Sequence, residues 1–140
     1  MKKAYVRYRK TIEPGKCRNW TFRRGDIYTA NLNPFRGSEQ GGTRPVLVLQ
    51  NNDGNIFCPT LIVAPLSSRI KKRNLPTHVL LEKGRGLVMD SIVELEQIKT
   101  IDKTRIRRYI GRVTREQMAS VDESLHKSLG LYIPECVEAP

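Results

Sequence analysis

Asn33 to Gln50 reads NPFRGSEQGGTRPVLVLQ. Its first half is polar, with Gly37, Gly41 and Gly42 around Ser38, Glu39 and Gln40. Its second half, Pro45–Leu49, is an apolar run rich in Val and Leu, and one cation, Arg44, stands at the joint. This switch predicts a glycine-bearing loop that runs into a buried strand. Such a joint sets a charged group on a rigid support, a common way to build a binding or reactive site. A solvated hairpin loop fits the same letters, so the flanking sequence has to decide.

Upstream, Gly25-Asp26 leads into Ile27–Leu32, where β-branched and aromatic residues favour a strand. Downstream, Asn51–Asn55 (NNDGN) carries turn chemistry, and a strand is expected over about Thr60–Pro65, running into Leu66, Ser67 and Ser68. A basic loop, Arg69–Asn74, precedes a fourth strand over Thr77–Glu82, which Lys83-Gly84-Arg85-Gly86 turns back. Asp90–Ile98 (DSIVELEQI) reads as a fifth strand, although alternation alone does not say which face is core. Thr100–Lys103 suggests a short helical turn, and Arg108–Val113 a further strand.

The clearest helix comes last. Thr114 followed by Gln117 has capping-box spacing, and Met118, Val121, Leu125 and Leu129 form one apolar stripe. Gly130 stands where a C′ glycine ends a helix. Short strands with one terminal helix imply a mostly β, antiparallel barrel or coiled sheet with a C-terminal α-helix packed on it.

A chain of 140 residues with 28% charged and 39% apolar residues suits one globular domain. The apolar runs are far shorter than the ~20 residues of a membrane span, and no apolar stretch follows the basic N-terminus; a cytoplasmic, non-membrane protein is expected. Cys17, Cys58 and Cys136 are far apart, with no C-x-x-C pair, so neither a zinc site nor a disulfide framework is suggested. The formal charge is +11, yet residues 1–24 hold nine basic side chains against one acidic, a net of +8. The basic excess is an arm, able to meet RNA phosphates or simply to be solvated. Residues 1–22 therefore read as a basic extension whose end Trp20 and Phe22 anchor, 23–133 as the functional domain and 134–140 as a tail.

The chemistry available is limited. His78 and His126 are the only histidines, and the first reads as structural and the second as surface. No H-E-x-x-H, P-loop or G-x-S-x-G is present, and the acidic residues lack metal-site spacing, with Glu94 and Glu96 the nearest approach. No metal or cofactor is expected. What remains is a polar set at strand ends and loops: Arg44, Ser67, Ser68, Arg69, Glu39, Gln40, Asn51 and Gln97. A permanent cation beside a hydroxyl can cradle a phosphate. On the residues alone, this supports a phosphate or nucleic-acid binder.

At these residues the chain resembles a known family. RRGDIYTANLNPFRGSEQGGTRPVLVLQNN, PTLIVAPLSS, LPTHVLLE, DSIVELEQIKTID and SLGL, in that order, are similar to the MazF/PemK toxins of toxin–antitoxin modules, over about Arg23 to Tyr132. The resemblance implies a small SH3-like antiparallel β-barrel working as a homodimer. It also implies a metal-independent, sequence-specific endoribonuclease that cuts single-stranded mRNA, and an acidic antitoxin that folds over the dimer. Arg44 falls on the family's catalytic Arg in G-G-x-R-P, and Ser67 on its partner hydroxyl, usually Thr. Ser keeps the donor but loses the methyl that restricts the rotamer, so a less constrained orientation is expected. Ser38, Glu39, Gln40, Asn51 and Gln97 match positions that contact RNA or shape its channel, and Ser68 and Arg69 extend the set. Two other classes compete: a non-catalytic nucleic-acid-binding module and a CcdB-like gyrase poison. The poison needs a Trp near the end of its last helix, whereas the one Trp here is Trp20.

Overall fold

The computed structural model describes residues 20–70 and 75–131. The basic arm up to residue 19, most of the basic loop, the C-terminal tail, Cys17 and Cys136 lie outside the described residues.

Strand β1 (Asp26–Asn31) pairs antiparallel with β2 (Thr43–Val48), and the glycine-bearing loop joins them. Strand β3 (Thr60–Ser67) pairs with β2 on one side. On its other side its first half pairs with β6 (Lys99–Asp102) and its end with β5 (Ser91–Glu94). β4 (His78–Leu81) flanks β5, and β7 (Ile106–Arg112) flanks β1. The order β4-β5-β3-β2-β1-β7 leaves no ladder between β4 and β7 among the described residues, so the sheet is coiled but not closed. The gap is filled by packing. The turn after β4 presses on β7 so closely that a Cβ at Gly86 would lie 1.9 Å from the Ile110 carbonyl oxygen. One at Gly111 would lie 2.0 Å from that of Arg85.

The near-continuous apolar runs of β2 and β3 have a physical cause: both faces of the sheet are buried. Leu47, Leu49, Ala64 and Leu66 enter one core with Val93, Leu95 and Val121. Val46, Val48, Leu61 and Val63 enter the other, with Tyr28, Tyr109 and Phe22. Trp20 packs there too, donating from its indole nitrogen to the Tyr28 hydroxyl at 3.1 Å, so Trp20 and Phe22 do anchor to the body.

The terminal helix α2 (Arg115–Ser128) follows its sequence pattern. The Thr114 side chain accepts from the Gln117 amide at 3.0 Å, and Gln117 Oε1 accepts from the Thr114 amide at 2.8 Å. Gly130 has φ +70, and the bonds Gly130 N to Lys127 O and Leu131 N to His126 O close the helix as a Schellman motif.

Three local expectations change. NNDGN is not a plain turn but opens the short helix α1 (Asn52–Phe57), because Asn51 caps it by accepting from the Gly54 amide. DSIVELEQI does not run on as a strand: β5 stops at Glu94, and Leu95–Gln97 forms a 3₁₀ turn. Leu95 is drawn into the core there, its carbonyl accepting from the Ser128 hydroxyl of α2 at 2.7 Å. Lys99–Asp102 is strand β6 because β3 offers it a ladder, and the helical turn moves to Lys103–Arg105, capped by Asp102.

Candidate active site

Arg44 lies near the start of β2, and Ser67 is the last residue of β3. In the β2–β3 ladder Val46 faces Pro65 and Leu47 faces Ala64. Extending that register by two residues sets Ser67 opposite Arg44. The two side chains line one cavity of about 620 Å³, open to solvent. Gln40, Ser68 and Arg69 from the sequence reading line it as well.

The guanidinium of Arg44 donates from Nε to the Gly41 carbonyl at 2.9 Å and makes a long 3.5 Å contact with the Leu66 carbonyl. Among the described residues no carboxylate pairs with it. A permanent cation half-held by two carbonyls and facing a polar cavity keeps donors available for an anion. Ser67 Oγ accepts from the Arg69 amide at 3.2 Å. That bond orients the oxygen by its lone pair and leaves the hydroxyl proton to donate, which offsets part of the freedom expected from the missing Thr methyl.

The other sequence-derived residues divide. Gln97 Nε2 donates to the Ser38 carbonyl at 3.3 Å, tying the loop tip to the 3₁₀ turn. Glu39 is used inside the loop, its carboxylate accepting from the Arg36 amide at 2.6 Å. Asn51 stays at the far end of β2 as the cap of α1 and is not brought to this cavity.

The cavity also holds residues that the sequence reading did not assign to the site. His78 and Glu94 face each other across β4–β5, and both line it, with Ile92. The expected structural role of His78 is therefore incomplete: its ring nitrogen Nε2 lies 2.8 Å from Glu96 Oε2, at the cavity wall. Glu94 Oε1 accepts from Gln40 Nε2 at 2.6 Å. Ligand atoms of His78, Glu94 and Glu96 all fall within 4.8 Å of one another, so the fold assembles a donor set that linear spacing did not reveal. These groups could hold a divalent cation, but here they serve as hydrogen-bond partners, with Thr77 Oγ1 also donating to Glu96 at 3.3 Å. His126 is exposed on α2, as expected. Pairing across β4–β5 was the one signal that could have found Glu94, had its register been known.

Residues 23–129 match the family described as PemK-like, MazF-like toxin of type II toxin–antitoxin system. Among solved structures, an endoribonuclease in complex with its cognate antitoxin from a mycobacterial species is 27% identical. The match covers 80% of this chain and 98% of that one, with a TM-score of 0.66. A second endoribonuclease from a mycobacterial species is 25% identical over 81% and 96%, also at 0.66. MazF from Deinococcus radiodurans is 26% identical over 80% and 99%, at 0.71.

Proposed function

The chain belongs to the PemK-like, MazF-like family of type II toxins, and from that premise we propose that it is an endoribonuclease toxin cutting single-stranded mRNA at the Arg44–Ser67 cavity. One observation carries the assignment of the site. A cation without a carboxylate partner among the described residues and a hydroxyl oxygen held by the Arg69 amide sit at the ends of neighbouring strands and line the same cavity.

The chemistry follows from those groups. The ribose 2′-oxygen attacks the adjacent phosphorus and gives its proton to solvent water. The new O–P bond forms as the bond to the 5′-oxygen breaks, the leaving 5′-oxygen takes up a proton, and the products are a 2′,3′-cyclic phosphate and a 5′-hydroxyl. Negative charge builds on the nonbridging oxygens in the pentavalent state. Arg44 stabilises that charge and can donate to the leaving 5′-oxygen, while Ser67 donates to a nonbridging oxygen. A guanidinium is a poor base at neutral pH, so Arg44 is assigned no role in removing the 2′-proton. The reaction needs no metal in this scheme. Ser38, Gln40, Ser68, Arg69 and Gln97 would form the RNA path around the pair. DNA lacks the 2′-hydroxyl and would stay intact.

We further infer a homodimer acting in the cytoplasm, with residues 23–133 as the nuclease domain. An acidic antitoxin segment would fold over the cavity and the basic loop. Among the described residues no helix is long and apolar enough to cross a membrane.

The test is incubation with single-stranded RNA and with DNA of the same sequence, in EDTA, with analysis of the product ends. Cyclic phosphates on RNA fragments and intact DNA are the expected result. RNA retarded but uncut would replace the proposal with a binding module, and gyrase-dependent DNA breaks would replace it with a gyrase poison. Arg44→Ala should lower the cleavage rate by ~10²–10³; cleavage at the wild-type rate would overturn the assignment of Arg44.

A further inference from the structure

Glu94 ends β5 almost fully buried, with 9% of its surface exposed at the cavity wall. Its Oε1 accepts from Gln40 Nε2 at 2.6 Å, across 54 positions of sequence. Gln40 is followed by Gly41, and the Gly41 carbonyl accepts from Arg44 Nε at 2.9 Å. Two hydrogen bonds and a single step along the backbone thus connect a fixed strand to the cation of the site.

The remaining loop contacts act elsewhere. The base of the loop is fixed by Asn33 Oδ1 accepting from the Gly42 amide at 2.8 Å and by Arg105, which donates to the carbonyls of Asn31 and Asn33. The tip has the longer Gln97–Ser38 bond. Gln40–Glu94 is the side-chain bond that ties the loop to the cavity wall beside Arg44.

We propose that Glu94 is a positioning residue for the reaction: by holding Gln40 it sets the Gly41 carbonyl, and that carbonyl aims the Arg44 guanidinium across the cavity at the substrate phosphate. This rests on the reading of Arg44 as the catalytic cation. A charge-assisted bond to a desolvated carboxylate is strong and exchanges poorly with water. The arginine it orients is a long, rotamer-rich side chain whose reactive geometry must be held within a fraction of an ångström. A clasp that merely stabilises the loop would shift the melting temperature or KM and leave kcat alone.

The experiment compares wild type, Gln40→Glu, Glu94→Gln and the exchanged pair Gln40→Glu/Glu94→Gln, as full chains, for cleavage of single-stranded RNA. Gln40→Glu sets two carboxylates against each other and should lower kcat by about 10²-fold, the scale of a displaced catalytic group. KM also rises, because Gln40 lines the RNA path, so kcat at saturating RNA is the quantity compared. The exchanged pair restores an amide–carboxylate bond with its polarity reversed and should recover most of kcat. The Arg44 Nε–H resonance, seen by ¹⁵N NMR, should move in Gln40→Glu and return in the exchanged pair. A folded Gln40→Glu protein with wild-type kcat would overturn the proposal. So would an exchanged pair no faster than Gln40→Glu, or an unmoved Arg44 resonance. Should Gln40→Glu fail to fold, Glu94→Gln decides: it keeps a weaker neutral bond, so an intermediate kcat with a shifted resonance supports the role, and wild-type values refute it. Failure of the catalytic reading itself is distinguishable, because Arg44→Ala would then cleave normally whatever the resonance does.

Discussion

Asp26 sits fully buried beside the guanidinium groups of Arg112 at 3.0 Å and Arg23 at 3.2 Å, with the Tyr28 hydroxyl donating to its other oxygen at 2.8 Å. Burial is the largest influence and raises its pKa above 3.8, against the opposing pull of Arg23, Tyr28 and Arg112. In the window between 3.8 and the raised value the native chain keeps a proton that the unfolded chain has lost. Stability from this group is therefore full below 3.8 and is lost as pH rises through the native pKa. The fall in urea midpoint across that window should disappear in Asp26→Asn, and a fall of the same slope in the variant would show that another group is responsible. Asp102 behaves oppositely: hydrogen bonds from the Thr104 side chain and amide lower its pKa, so its contribution is present above 3.8 and lost on acidification. At the site, Ser67→Thr keeps the hydroxyl and should cleave RNA at near the wild-type rate, whereas Ser67→Ala should lose ~10²-fold or more. Equal rates for Ser67→Ala and wild type, in single-turnover cleavage, would remove Ser67 from the mechanism.

Among the elements, those built from local signals were legible. The capping box and apolar stripe of α2 depend on residues three or four apart. The box is present, and Met118, Val121 and Leu125 of the stripe meet the core, while Leu129 caps the helix and is exposed. Thr114→Ala should cost ~1 kcal/mol, read as a lower urea midpoint at unchanged slope. Where non-local pairing decides, the sequence was silent. β5 could not be oriented by alternation because both of its faces are buried: Val93 enters the core while Ile92 and Glu94 face the cavity. Glu94 and His78 were noted separately, one as an acidic residue without metal-site spacing and one as structural, since only the β4–β5 register brings them together. Arg44 and Ser67 stood out as members of a polar set, but their pairing came from family resemblance, not from spacing. The contact of the β4 turn with β7 was equally invisible. Gly111→Ala must displace a backbone carbonyl, and should cost about 1–3 kcal/mol, the range for overpacking. A melting temperature equal to wild type would mean that the turn simply moves aside.

For the molecule as a whole, charge and chemistry occupy different parts of the chain. Residues 1–19 hold seven basic side chains, while the site uses Arg44 and Arg69. If the arm contacts RNA phosphates, a chain lacking residues 1–19 should show a shallower salt dependence, by roughly 0.7 in log–log slope for each contact removed. Fluorescence anisotropy at several salt concentrations reads it, and an unchanged slope would make the arm a bystander to RNA. The open sheet, in contrast, carries the proposed reacting pair on neighbouring strands that line one cavity. Arg44 and Ser67 lie two residues beyond the paired stretch of β2 and β3, Val46–Val48 against Val63–Pro65, and each is held by its outer neighbour, Arg44 opposite Ala30 of β1 and Ser67 opposite Ile92 of β5. In the proposed reading, residues of the 33–42 loop away from Gln40 could change, and RNA contacts with them, while the strands that carry Arg44 and Ser67 stay in place. A site divided in this way between a loop and a sheet would let what is cut vary independently of how it is cut.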